Sequence, residues 1–199
     1  MDDVFTAARV VAGELLRRLD DGGRRWRHTQ WVAAKAAEAA PLLPPADGEL
    51  LVAAAWLHDI GYSPHVALWG FHPVDGAAYA SAHVPRRAVA GLIAQHSGAR
   101  FLAEARGPSH LMHPFERREW WSGALPDALT WADQTTDPEG RPIAVEDRLA
   151  EMLHRHGPDS PNARAHPRRA PVVVAAVRAT EARLAGAVRT SGSASVAMA

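Results

Sequence analysis

Apolar side chains recur at helical spacing from the start of the chain, with Phe5, Val10, Val11, Leu15, Leu16 and Leu19 set against Arg9, Arg17 and Arg18. That pattern predicts an amphipathic helix over 3–20, ended by Asp20-Asp21-Gly22-Gly23. A second helix is predicted over about 25–40, carrying Trp26, His28, Trp31 and Val32 and broken by Pro41, Pro44 and Pro45. Asp47 is the expected N-cap of a third. Its continuation L-V-A-A-A-W-L-H-D-I-G-Y, residues 51–62, is apolar until it ends abruptly in His58-Asp59, with Gly61 read as the glycine that stops it. Residues 62–71 are too short and too marked by proline and glycine for a helix and read as a loop. Pro73 and Asp75 then suit a first helical turn, which puts His72 at the N-cap of a helix running to about His83. Pro85 opens a fifth helix, ending at His96-Ser97-Gly98.

Residues 99–120 are mixed in character and read as an insertion or lid. Further helices are expected over about 126–136, 144–156 and 168–187, with a turn at 137–140 and a proline-marked loop at 157–167. The tail, 189–199, is small and polar and is expected to be disordered. Two-residue alternation is not sustained anywhere, and Val172-Val173-Val174 is the one run where a strand could hide. The expectation is an all-α helical bundle in one domain. Residues 1–24 would pack on a core of 25–137, and helices over 138–188 would follow.

Composition narrows the chemistry. Hydrophobic residues make up 47% of the 199 and charged residues 22%, which is globular rather than disordered. Lys+Arg and Asp+Glu are equal at 22 each, so no general attraction to nucleic acid or to an anionic membrane is indicated. With no cysteine, thiolate catalysis and Cys-type zinc sites are excluded, and any metal must be held by His, Asp or Glu. The N-terminus lacks the basic start and apolar stretch of a signal peptide, and no run of about 18 apolar residues exists to span a membrane. A cytoplasmic protein is the default expectation.

His58 and Asp59 at the buried end of an apolar helix need partners, because leaving them unpaired costs several kcal/mol. A divalent metal would satisfy both, and so would a His–Asp hydrogen bond that only pins the helix. Collecting the polar residues on apolar faces or at helix ends adds His28, His72, His96 and Asp133. Each lies on a different predicted helix, which is how bundles assemble metal sites. Imidazole with carboxylate suits Fe, Mn, Co or Zn better than Ca or Mg. Six such side chains are more than one catalytic ion needs, and suit two ions about 3.5–4 Å apart bridged by a carboxylate.

The ordered set H…HD…D, seen as His28, W-L-H-D-I-G and W-A-D-Q-T-T, resembles the HD-domain superfamily of metal-dependent phosphohydrolases. The histidines of F-H-P-V-D-G-A-A and I-A-Q-H-S-G-A resemble the extra ligands of its dinuclear branch. The resemblance covers about 25–137. It implies one ion on His28, His58, Asp59 and Asp133 and a second on Asp59, His72 and His96, with Asp59 as the bridging, catalytic carboxylate. It further implies attack of a metal-bound hydroxide on a small phosphorylated substrate, a nucleotide or a phosphomonoester or diester. Many of these enzymes read H-D-I-G-K, whereas Tyr62 stands at the lysine position here. That departure keeps two other readings open, a mixed-valent di-iron oxygenase of the same superfamily and a non-catalytic nucleotide-binding regulatory module.

His83 is a rival to His72, since the two sit about 16 Å apart along an ideal helix and only one can reach the site. Lys35, Tyr62, Arg100, Arg141 and Arg148 are the candidates for contact with substrate, with surface placement the plainer reading for the cations. Asp75 reads as a cap. Trp120-Trp121 leaves a homodimer contact open, with core packing preferred.

Overall fold

The computed structural model describes residues 3–196. Nine α-helices occur among these residues: α1 (Asp3–Leu16), α2 (Arg24–Ala39), α3 (Pro45–Leu57), α4 (His72–His83), α5 (Arg87–Gln95), α6 (Ala99–Arg106), α7 (Ala124–Gln134), α8 (Val145–His156) and α9 (Pro161–Val196). Short 3-10 turns connect several of them. Among the described residues the only β pairing is an isolated bridge between Thr136 and Pro142.

Helix α3 is apolar on every face, and Leu51, Val52, Ala53, Ala54, Ala55, Trp56 and Leu57 are all buried. A helix with no polar stripe belongs in the middle of a bundle. Accordingly α1, α2, α5 and α7 all pack against it. Each fully buried leucine or isoleucine along this axis contributes about 1.5–3 kcal/mol. A second group forms around α9, which packs on α6, α7 and α8, while α4 pairs with α5. The central helix therefore delivers its C-terminal end, His58-Asp59, into the interior, where α2, α4, α5 and α7 also end or begin.

Several boundaries differ from the sequence expectation for identifiable reasons. α3 starts at Pro45, with Pro44 at the N-cap and Asp47 inside the first turn, because proline at the first helical position has no N–H to lose. His72 is the first residue of α4 and Phe71 is its N-cap, so the imidazole is not used for capping. Segment 99–120 is helical and packed into the bundle. It holds α6 and two 3-10 turns whose Met112, Phe115 and Trp120 are buried in the core. Trp120 lies so close to Gly91 that a Cβ there would stand 2.0 Å from the indole.

The expected loop 157–167 is largely helical. Ser160 accepts a hydrogen bond from the Ala163 N–H at 3.1 Å, with Pro161 next in the chain, a start signal of cap and first-turn proline. α9 then runs through Pro167 and Pro171, absorbing the lost hydrogen bonds by packing on three other helices. Val172-Val173-Val174 is helical, and the helix continues to Val196 where a disordered tail had been expected from 189. Positions 197–199 of that tail lie outside the described residues. No helix among the described residues is long and apolar enough to cross a membrane.

Candidate metal centre

Five helices bring the six predicted side chains to one place. His28 comes from α2, His58 and Asp59 from the end of α3, His72 from the start of α4, His96 from the end of α5, and Asp133 from α7. Imidazole centroids lie 5.5 Å apart for His28–His58, 5.3 Å for His58–His96 and 5.3 Å for His72–His96. Two groups of potential ligand atoms, each within 4.8 Å of one another, share a member: His28, His58 and Asp59 form one, and Asp59, His72 and His96 the other. Asp133 Oδ1 joins the first, 3.1 Å from His28 Nε2 and 3.9 Å from His58 Nε2. Asp59 Oδ2 lies 3.5 Å from His58 Nε2, and its Oδ1 lies 3.5 Å from His72 Nε2.

The second nitrogen of each ring explains the orientation. Nδ1 of His58 donates to the Ala55 carbonyl at 2.8 Å, that of His96 to the Ile93 carbonyl at 2.6 Å, and that of His28 to the Asp137 carbonyl at 2.9 Å. Each tether fixes the proton on Nδ1 and turns Nε2 inward. His58 Nε2 is buried with no hydrogen-bond partner at all. A buried nitrogen lone pair aimed between two carboxylates is what a cation would satisfy, so the residues present fit a divalent metal.

The electrostatics agree with that fit. Burial pushes His58 and His72 below the ordinary histidine value. Burial would raise Asp59, but the neighbouring His58 imidazole, the Arg25 guanidinium and the His72 imidazole outweigh it and hold the carboxyl below its ordinary range. Asp133 is likewise held low, with burial opposed by the His28 hydrogen bond and the neighbouring His58 imidazole. His28 goes the other way. Burial disfavours its charge, yet the hydrogen bond and charge of Asp133 raise it overall. Its two ring nitrogens face the Asp137 carbonyl at 2.9 Å and Asp133 Oδ1 at 3.1 Å.

Asp133 is positioned by neighbours that the sequence reading did not single out. Its Oδ2 accepts from the Ser97 hydroxyl and from Gln134 Nε2 at 2.8 Å. Ser97 has a left-handed backbone, φ 51°, and its carbonyl accepts from Arg169 Nε at 2.7 Å. Gly61 is not in the left-handed region, so its place after the His-Asp pair is not explained as a helix stop. It lets the chain pass against α4, where a Cβ would sit 2.0 Å from the His72 carbonyl oxygen. Asp75 is a cap, though for the preceding loop, accepting from the N–H groups of Leu68, Trp69 and Phe71. His83 is exposed and bound to its own helix through the Tyr79 carbonyl.

A cavity of about 600 Å³ opens onto the cluster. Of the predicted substrate contacts, Tyr62 and Arg148 line it. Lys35 does not. Its ammonium is held by the hydroxyl and carbonyl of Thr135 and lies 4.4 Å from the Trp131 ring centroid. Arg100 stacks on Trp121 at 4.2 Å, away from the cavity, and Arg141 is spent on Asp137 at 2.8 Å. Arg24, Arg25, Arg106, Arg155 and Arg169, none of them among the predicted substrate contacts, also line the cavity. Arg25 had a usable signal, since it lies three residues before His28 on one helix face. It donates to Asp59 Oδ2 at 2.5 Å and lies 3.5 Å from the centroid of the Tyr62 ring, which itself stacks on His72 at 3.9 Å.

An all-helical bundle with buried imidazoles and carboxylates converging from five helices, beneath a cation-lined cavity, defines a protein built to hold a divalent metal. Residues 25–152 match the HD domain, and the chain belongs to that family, whose members are largely metal-dependent hydrolases. No curated protein and no solved structure matches the chain.

Proposed function

We propose that the chain is a metal-dependent phosphohydrolase acting on a small phosphorylated compound, a nucleotide or a phosphomonoester or diester. The observation that supports this best is the position of Asp59, shared by both ligand groups and facing a cavity rich in guanidinium groups. His28, His58, Asp59 and Asp133 would hold one ion, and Asp59, His72 and His96 a second. Fe, Mn, Co and Zn all suit these donors. Such ions supply Lewis acidity, activating a water for attack on phosphorus and neutralising phosphate oxygens.

The chain's own residues do the rest. Ser97 and Gln134 fix the rotamer of Asp133, and the Nδ1 tethers fix the imidazoles. Arg25 is the cation that the missing lysine leaves to be found. Tyr62 at that position carries the Arg25 guanidinium beside the His-Asp pair, so tyrosine there is no argument against a phosphate. Arg25 binds a non-bridging phosphate oxygen and holds phosphorus in line. Arg25→Gln is expected to lower kcat/KM roughly 10- to 100-fold, the worth of one charge-assisted hydrogen bond, with metal content unchanged. Phosphate-release kinetics beside elemental analysis check this, and a variant within twofold of wild type removes Arg25 from the substrate site.

The reading itself is tested by assaying phosphate release from nucleotides, phosphomonoesters and phosphodiesters with Mn or Fe(II) supplied. Turnover of at least one substrate that disappears on chelation is the expected result. A fully metal-loaded protein inactive on every one of them overturns it. Oxygen consumption with iron bound would then favour the oxygenase reading.

A further inference from the structure

The cavity has two walls of different origin. One is the metal-binding core, and the other comes from α8 and α9, with Arg148, Met152, Arg155, His156, Asn162 and Arg169. Past residue 152 that second wall lies outside the stretch matching the HD domain. Three of its six residues are arginines, and their pairing is incomplete. Arg148 Nη1 donates to Glu151 at 2.6 Å, while its Nε is buried without a hydrogen-bond partner. Arg155 Nε shares the same Glu151 at 3.4 Å, so one carboxylate serves two guanidinium groups. Arg169 is bound only to neutral acceptors, the Ser97 carbonyl at 2.7 Å and Gln134 Oε1 at 3.4 Å. Among the described residues no carboxylate lies within ion-pair distance of it. Burial accordingly lowers it from the ordinary guanidinium value, with Asp133 opposing the shift and Arg148 adding to it.

A half-buried cation without a counter-ion is costly, and a wall serving only stability would pair its arginines with carboxylates or replace them by apolar side chains. These face a cavity instead. We propose that the α8–α9 wall, through Arg148, Arg155 and Arg169, is a subsite for a second anionic group of the substrate, phosphoryl or carboxyl, separate from the phosphoryl group at the metal centre. The substrate class is thereby narrowed to small compounds with an anion at each end. This rests on the phosphohydrolase reading, to which it adds the identity of the far end of the substrate.

The test compares three non-hydrolysable three-carbon probes on the full chain loaded with Mn(II): propylphosphonate, 3-phosphonopropionate and propane-1,3-bisphosphonate. Titration calorimetry is expected to show a two-ended probe binding roughly 10- to 100-fold more tightly than propylphosphonate. Whichever two-ended probe gains more identifies the second group as carboxyl or phosphoryl. Arg148→Gln should remove most of that advantage while leaving metal content and propylphosphonate affinity unchanged. Arg155→Gln, at the exposed rim, provides the same comparison where a deeper substitution fails to fold. Equal binding of all three probes, or an advantage that survives in the variants, overturns the subsite. The hydrolase reading fails separately, by absence of phosphate release with the two-ended advantage intact.

Discussion

Asp59→Ala is expected to abolish bound metal and phosphate release together. No other residue belongs to both ligand groups, so its removal takes a donor from each potential ion at once. Losing a preorganised charge at a reacting centre typically costs 10²–10³-fold, and losing the ions as well makes a drop of at least roughly 10³-fold the expectation. The substitution also strands Arg25, whose guanidinium now lies 2.5 Å from the carboxylate. Asp59→Asn keeps the volume and removes only the charge, separating the electrostatic loss from a packing loss. Elemental analysis and a phosphate-release assay on the same preparations check the prediction. Full metal occupancy with turnover in the alanine variant would remove Asp59 from the centre.

Gly61→Ala should come next in size, although a single methyl group is added and no ligand is touched. The new Cβ would stand 2.0 Å from His72 O, 2.7 Å from Gly76 N and 2.8 Å from His72 C, all backbone atoms that no rotamer change can move. The turn after α3 and the start of α4 must separate, and these carry Asp59 and His72. Overpacking of this kind costs about 3 kcal/mol, which for a chain this long lowers Tm by roughly 6–12 °C. Gly76→Ala is the internal comparison, since its Cβ would meet its nearest atoms only at 3.2–3.3 Å, two of the three being isoleucine side-chain atoms. Thermal unfolding of both variants, with metal content measured alongside, provides the check. A Gly61→Ala protein that melts with the wild type would show that the turn and α4 can part at little cost.

Much of this was legible in the sequence because the six polar residues interrupt apolar patterns. An apolar helix such as α3 has to be buried, so a His-Asp pair at its end must be inside, and the same reasoning applies to Asp133 in the apolar face of α7. Periodicity shows which face of each helix is buried, and that is enough to group polar residues more than a hundred positions apart. Arginine is harder. Its long side chain reaches in whichever direction tertiary packing allows, so of Lys35, Arg100, Arg141 and Arg148 only Arg148 faces the cavity. Arg169 was hidden for another reason. It falls at the start of the helix expected over 168–187, whereas α9 begins at Pro161, and only the Ser160-Pro161 start signal marks the turns that come before Arg169. Gly61 shows the limit of a local rule, since the sequence marks where the glycine is and not what passes beside it.

The three carbonyl tethers on His28, His58 and His96 bear on how an ion would be captured. Rotational freedom of these rings is given up when the chain folds, so an arriving ion would encounter donors that need no further ordering. Capture would then be governed by competition between like charges, with the guanidinium of Arg25, paired with Asp59, as the cation to be displaced.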